Sequence, residues 1–186
     1  MADPARQRAT YQDLREVPDH LVAELINGDL VTSPRPAALQ ARAASNLGGE
    51  LYNPFDRGKG GPGGWIILDE PELHLRGNVL VPDLAGWRRE RMPELPDAAA
   101  FELAPDCVCE ILSPSTASID RADKMPIYLH DGVSSIWLVD PLLQTLEAFK
   151  LEASAYRLLG VWKGSAAVRI EPFEALELEL SALWSR

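Results

Sequence analysis

The sequence predicts an α+β fold, a mixed β-sheet flanked by two main helices and followed by a C-terminal antiparallel meander. Three observations carry this prediction. Short apolar runs bounded by Gly, Pro and Asn recur from residue 21 to residue 140. Two stretches, 37–55 and 117–131, read as helices, the first by its four-residue apolar spacing. From residue 144 onward the pattern is all strand, with leucines alternating against glutamates at 176, 178 and 180. A chain of 186 residues is most simply one domain, residues 1–186, long enough to bury a continuous core.

Residues 1–9 form a loose polar lead. Thr10 caps a short helix through Glu16, with Asp13 in its first turn, and Val17-Pro18 ends it. The runs 21–26 and 30–33 flank Asn27-Gly28-Asp29, a strong hairpin signal. Glu24 lies in the first of these strands. Such an acid is usually solvent-facing, and it becomes a site candidate only if it points into a cleft. In the helix over 37–55, Leu39, Ala43, Leu47 and Leu51 draw an apolar stripe. Gly48-Gly49 costs about 2 kcal/mol of helix propensity and allows an early end there.

The glycine-rich loop 56–64 precedes a strand and lacks the Lys-Ser/Thr pair of a phosphate-binding loop, so that reading is rejected. Trp65–Leu68 and Glu72–Leu75 are strands. The apolar run 79–87 contains Pro82-Asp83, and Pro82 marks an edge, an end or a bulge. Residues 88–105 form a long polar connection whose Arg88, Arg89 and Arg91 are the densest basic cluster in the chain. Cys107–Ser113 is apolar on both faces except at Glu110, as in a central strand. In the second main helix Pro126 fits only near the first turn, which places the helix start around Asp120–Asp123. Lys124 and Tyr128 then share a face one turn apart. A buried strand at 135–140 follows, then the meander, with Ser181 as cap of a last short turn.

Composition limits the function classes. Hydrophobic residues make up 46% and charged residues 25%, with a net charge of −10. That excess opposes long-range attraction to nucleic acid, so a DNA partner requires a local basic patch. Cys107 and Cys109, two apart on a strand, face one side as small apolar residues. They support neither a zinc site nor a disulfide framework, which points to a reducing cytoplasm. No segment has signal-peptide character or the ~20 apolar residues of a membrane span.

Asp83, Glu110 and Lys124 are two acids and a base delivered by strand, strand and helix. Hydrolysis of a phosphodiester calls for an activated water and relief of charge on the phosphoryl oxygens. Carboxylates holding Mg²⁺, with a nearby ammonium, supply both. A buried Glu110 is equally well satisfied by a salt bridge, and on residue types alone the two readings stand even.

The ordered motifs resemble the PD-(D/E)xK nuclease superfamily. More closely, they resemble the Uma family of bacterial putative restriction-endonuclease domain proteins. The matching segments are AELINGDLVTSP, VLVPDLAGW, APDCVCEILSPST, DRADKMPIYLHDGV and IWLVDP, spanning about residues 22 to 141. The resemblance implies a restriction-endonuclease-like sheet and a Mg²⁺-dependent endonuclease (Mn²⁺ as substitute) cleaving phosphodiester bonds in DNA. Asp83 and Glu110 would hold the metal, joined by the backbone carbonyl of Ile111, and Glu24 would assist. The superfamily lysine normally stands two residues after the second acid, where this chain has Leu112. Lys124 would fill that role from the following helix, activating water or stabilising the transition state. A homodimer is implied by analogy. Ala37, Ala38 and Leu39 replace a frequent family histidine, and Ile136 replaces a frequent aromatic. The rival expectation is a nuclease-fold binding or assembly protein with little or no catalysis, motivated by the absent basic face. Ser113 and Ser115 read as turn residues, the histidines as surface residues, Trp87 and Trp137 as core, and Tyr128 as packing or as an orienting group for Lys124.

Overall fold

Strand β7 (Cys107–Ile111) is buried along its whole length and lies inside a six-stranded sheet. The computed structural model describes residues 8–185. The sheet order is β10-β9-β8-β7-β6-β3. Its members are β3 (Trp65–Asp69), β6 (Leu84–Arg88), β8 (Ser135–Asp140), β9 (Thr145–Glu152) and β10 (Ala155–Lys163). The β7/β8 pair is parallel and the other pairs are antiparallel, so this is the expected mixed sheet. Parallel pairing needs a crossover, and the helix between β7 and β8 supplies it.

A second, four-stranded sheet has the order β2-β1-β5-β4. The predicted hairpin forms its edge, β1 (Leu21–Ile26) with β2 (Asp29–Pro34), turning at Asn27 (φ 56°) and Gly28 (φ 91°). Positive φ at both turn residues is the geometry that favours Asn-Gly. The apolar run 79–87 is divided between sheets. β5 (Asn78–Leu80) pairs with β1 and with β4 (Leu73–Leu75), whereas β6 pairs with β3 and β7. Pro82-Asp83 occupies the passage between them. Pro82 therefore marks a strand end.

The alternation along β7 sorts the core. Cys107, Cys109 and Ile111 join the cluster that contains Ala43, Leu47 and Leu51 of α2 (Ala38–Leu51), while Val108 joins the cluster on the opposite face. Helix α2 runs through Gly48-Gly49 without interruption and continues into a π-helical turn, Tyr52–Asp56. A Cβ at Gly48 would lie 3.3 Å from Asp69 and 3.4 Å from Leu84, so glycine there permits close helix–sheet approach. Leu39 is only partly buried, and Gln40 takes its place on the expected stripe, buried with Ala43, Leu47 and Leu51.

The second main helix begins earlier than Pro126 suggested. It starts as α3 (Ala117–Ile119), widens into a π-helical turn (Asp120–Lys124) and continues as α4 (Met125–His130). The Met125 N–H bonds to the Asp120 carbonyl, and the turn is wide where an α-helix would ask Pro126 for a missing N–H. The short helix α1 (Tyr11–Arg15) has the expected Thr10 cap, completed by Asp13 as a capping box. Of the expected N-terminal lead, residues 1–7 lie outside the described residues, and the Ala9 N–H bonds to the Gly28 carbonyl. In the C-terminal part β9 and β10 extend the main sheet, then β11 (Ala167–Val168) and β12 (Leu178–Glu179) form a minimal ladder. The last turn is a 3₁₀ helix, Leu180–Trp184, whose cap position is Glu179 rather than Ser181. Among the described residues, no helix is long and apolar enough to cross a membrane.

Candidate active site

A cavity of about 80 Å³ opens at the end of β7. Glu24, Asp83, Glu110, Asp120 and Lys124 line it. The register of β6 on β7 brings Asp83, just before β6, close to the acid of β7. Leu84 pairs with Cys109, which sets the preceding Asp83 beside the end of β7. Asp83 Oδ2 accepts the Ile111 N–H at 2.7 Å, fixing that carboxylate against the strand. Glu110 points to the helix side of the sheet. Its Oε1 accepts the Tyr128 hydroxyl at 2.7 Å and Lys124 Nζ at 3.4 Å. Tyr128 therefore holds the acid as well as packing in the core.

Lys124 is buried, and three carboxylates surround its ammonium. Nζ lies 2.9 Å from Glu24, 3.4 Å from Glu110 and 3.3 Å from Asp120. Glu24 itself is fixed by the Val81 N–H at 2.8 Å. The lysine thus touches Glu110 and Glu24, and Asp83 is not among its ion-pair partners within the described residues. Its charge still reaches Asp83 and lowers that pKa. Asp120, which sequence reasoning placed at a helix start, is a buried wall of the same site. An acid spaced four residues before Lys124 on one helix face is the signal that finds it.

Burial is the largest influence on Asp83, Glu110 and Lys124. It pushes Asp83 from 3.8 up to about 6, against the Ile111 hydrogen bond and Lys124, while Asp120 and Glu70 add to the rise. Glu110 is raised well above the usual carboxylate range by burial, opposed by Lys124 and reinforced by Asp120, Asp83 and Glu24. Burial alone would depress Lys124, yet Glu110, Glu24 and Asp120 outweigh it and hold its pKa above the ordinary lysine value. These shifts share one direction. An acid-rich pocket with a single cation retains protons.

The donor set suits a hard divalent cation. It consists of oxygen ligands, since both cysteines face the opposite core cluster. Among the described residues no three His, Cys, Asp or Glu side chains form a ready metal-binding group. Mg²⁺ is usually held by one or two carboxylates together with waters, a smaller demand than a three-residue group.

The basic cluster of residues 88–91 is already engaged. Arg88 stacks 4.5 Å from the Trp65 ring centroid, Arg89 lies 3.7 Å from Asp56, and Arg91 lies 3.0 Å from Asp106. Trp87 and Trp137 are core residues, as expected.

Two comparisons bear on ancestry. A crystal structure described as a putative nuclease belonging to DUF820, from Anabaena variabilis ATCC 29413, superposes with a TM-score of 0.74 at 22% identity. The match covers 95% of this chain and 97% of that one, and it establishes a shared fold. No curated protein matches the chain. The model of the Uma2 family, described as putative restriction endonuclease, matches residues 8–182. The chain therefore belongs to the Uma2 family, on a fold it shares with a nuclease-like structure.

Proposed function

We propose that the chain is a Mg²⁺-dependent endonuclease, accepting Mn²⁺ as a substitute, that hydrolyses phosphodiester bonds in DNA. The observation that carries this reading is the excess of carboxylates over cations in the cavity at the end of β7. Asp83 and Glu110 would hold the metal, with the Ile111 carbonyl as a further ligand. A bound divalent cation supplies charge relief for phosphoryl oxygens and a more acidic water.

The chain's own groups divide the remaining work. Lys124, kept protonated by its neighbours, acts as a fixed positive charge toward the developing phosphoryl charge, and a role as general base is disfavoured. Glu24 and Asp120 hold the ammonium in place. Tyr128 fixes Glu110, and the Ile111 N–H fixes Asp83. Plasmid nicking with Mg²⁺ or Mn²⁺ tests the assignment. The wild type is expected to nick, and Asp83→Ala and Lys124→Ala to lose most activity. Activity surviving both substitutions sinks the proposal.

The engaged arginines and the net charge of −10 favour the rival reading of a binding or assembly protein on the same fold. Calorimetric titration separates the two, because only the nuclease reading requires Mn²⁺ binding that depends on Asp83 and Glu110. A homodimer, proposed by analogy, is checked by light scattering, and a monomer at working concentration excludes it.

A further inference from the structure

The acids of the cavity wall all have partners. Glu24, Glu110 and Asp120 hold Lys124, Asp83 holds the Ile111 N–H, and Glu70 meets Arg35 at 3.4 Å. Gln40 does not. It lines the same cavity and is only 6% exposed, and its side-chain amide forms no hydrogen bond with the described residues. Among those residues Asp131 Oδ2 is the one fully enclosed side-chain polar atom without a partner, so the Gln40 amide keeps contact with the open cavity, where a ligand can reach it. A polar residue here interrupts the apolar stripe that Ala43, Leu47 and Leu51 continue, so packing alone does not account for it.

Gln40 stands in the first turn of α2, a 14-residue helix. That turn has no side-chain cap at Ala37 and contains no acidic residue. Free first-turn N–H groups and the helix dipole favour an anion. The cavity has acceptors in excess, and an incoming anion lacks donors there. A second lysine or arginine at position 40 would be drawn onto the carboxylates, as Lys124 has been. A neutral amide avoids that collapse and keeps its N–H groups available.

We infer that Gln40 binds the substrate backbone, donating its side-chain N–H to a non-bridging oxygen of the phosphodiester. This rests on the nuclease reading of the site. It adds a binding residue on α2, opposite the strand that carries Glu110.

The test uses the full chain and a short fluorescent DNA duplex, with Ca²⁺ in place of Mg²⁺ so that binding is read apart from cleavage. Gln40→Leu fills the same space without polar atoms, and Gln40→Glu replaces donors with acceptors. The Leu variant is expected to bind the duplex about tenfold to a hundredfold more weakly, the range for hydrogen bonds to charged groups. The Glu variant is expected to bind more weakly still. In Mn²⁺-driven nicking the Leu variant should show a raised KM. Its Mn²⁺ affinity by calorimetry should be unchanged and its thermal midpoint equal to or above wild type, which shows that it folds. Unchanged duplex affinity in Gln40→Leu overturns the inference alone, and so does a loss of Mn²⁺ binding in that variant. A wild type that binds the duplex through Gln40 without cleaving it upholds the inference and overturns the nuclease reading. A wild type that binds no duplex overturns both.

Discussion

Asp83→Asn is expected to stabilise the metal-free protein. Asp83 is partly buried, and burial raises its pKa from 3.8 to about 6. A shift of about two units corresponds to about 3 kcal/mol of differential interaction between the two protonation states. The raised value means that the folded chain binds this proton more tightly than the unfolded chain. The contribution to stability is therefore complete below pH 3.8 and lost as pH rises through about 6. Asparagine resembles the protonated acid and keeps an oxygen to accept the Ile111 N–H. In chelator-containing buffer the variant should gain about 2–3 kcal/mol above pH 6, or about 4–12 °C in thermal midpoint for a chain of this size. The gain should shrink toward zero as pH falls to 3.8. Urea unfolding monitored by tryptophan fluorescence at a series of pH values measures it. Added Mn²⁺ should reverse the order, because the wild type alone retains the carboxylate. A variant no more stable than wild type above pH 6, or one whose advantage ignores pH, refutes the reasoning.

Three further outcomes follow from the same geometry. Lys124→Met leaves Glu24, Glu110 and Asp120 without their shared cation and should cost about 3–5 kcal/mol, partly restored by adding Glu110→Gln. Strict additivity of the two changes in urea unfolding would contradict the shared contact. Tyr128→Phe removes a 2.7 Å donor from Glu110 and should cost about 1.5–3 kcal/mol, and an unchanged urea midpoint would count against that bond. Mn²⁺ affinity should fall about tenfold per pH unit below about 6, where Asp83 holds its proton. Calorimetry that finds the affinity flat across this range would remove Asp83 from the metal site.

The sequence was most legible where local pattern and packing agree. β7, the Asn-Gly hairpin and the buried strand at 135–140 form as read, because unbroken apolar runs and a turn that demands positive φ leave few alternatives. Glu110 was conspicuous because it is the one charged residue in β7. Less legible features depended on partners distant in the chain. The run 79–87 splits between sheets because β5 finds β1, about fifty residues earlier, a pairing that no local spacing announces. Pro126 points to a late start only in a regular α-helix, and the wide turn at Asp120–Lys124 lets the helix begin at Ala117 instead. A four-residue count back from Ala43 lands on Leu39, which hides Gln40 in the sequence. A three-residue step lands on the amide, and a polar residue there on a buried stripe was the available signal.

The wide turn at Asp120–Lys124 also fixes which residues share a wall. Asp120, Lys124 and Tyr128 recur every fourth residue and all three are buried. In a regular α-helix of 3.6 residues per turn, each four-residue step drifts by about 40°. Slower winding through the π-helical turn cancels part of that drift and keeps the three side chains in one column facing Glu110. The pocket is consequently written in chain length as well as in residue identity. Deleting the exposed Ala122 would spare every acid, the lysine and the tyrosine. It would tighten the turn and swing the column's lower half away, so helix content by circular dichroism should persist while Mn²⁺ binding is lost. A relative one residue shorter here would keep every site residue and have a silent pocket.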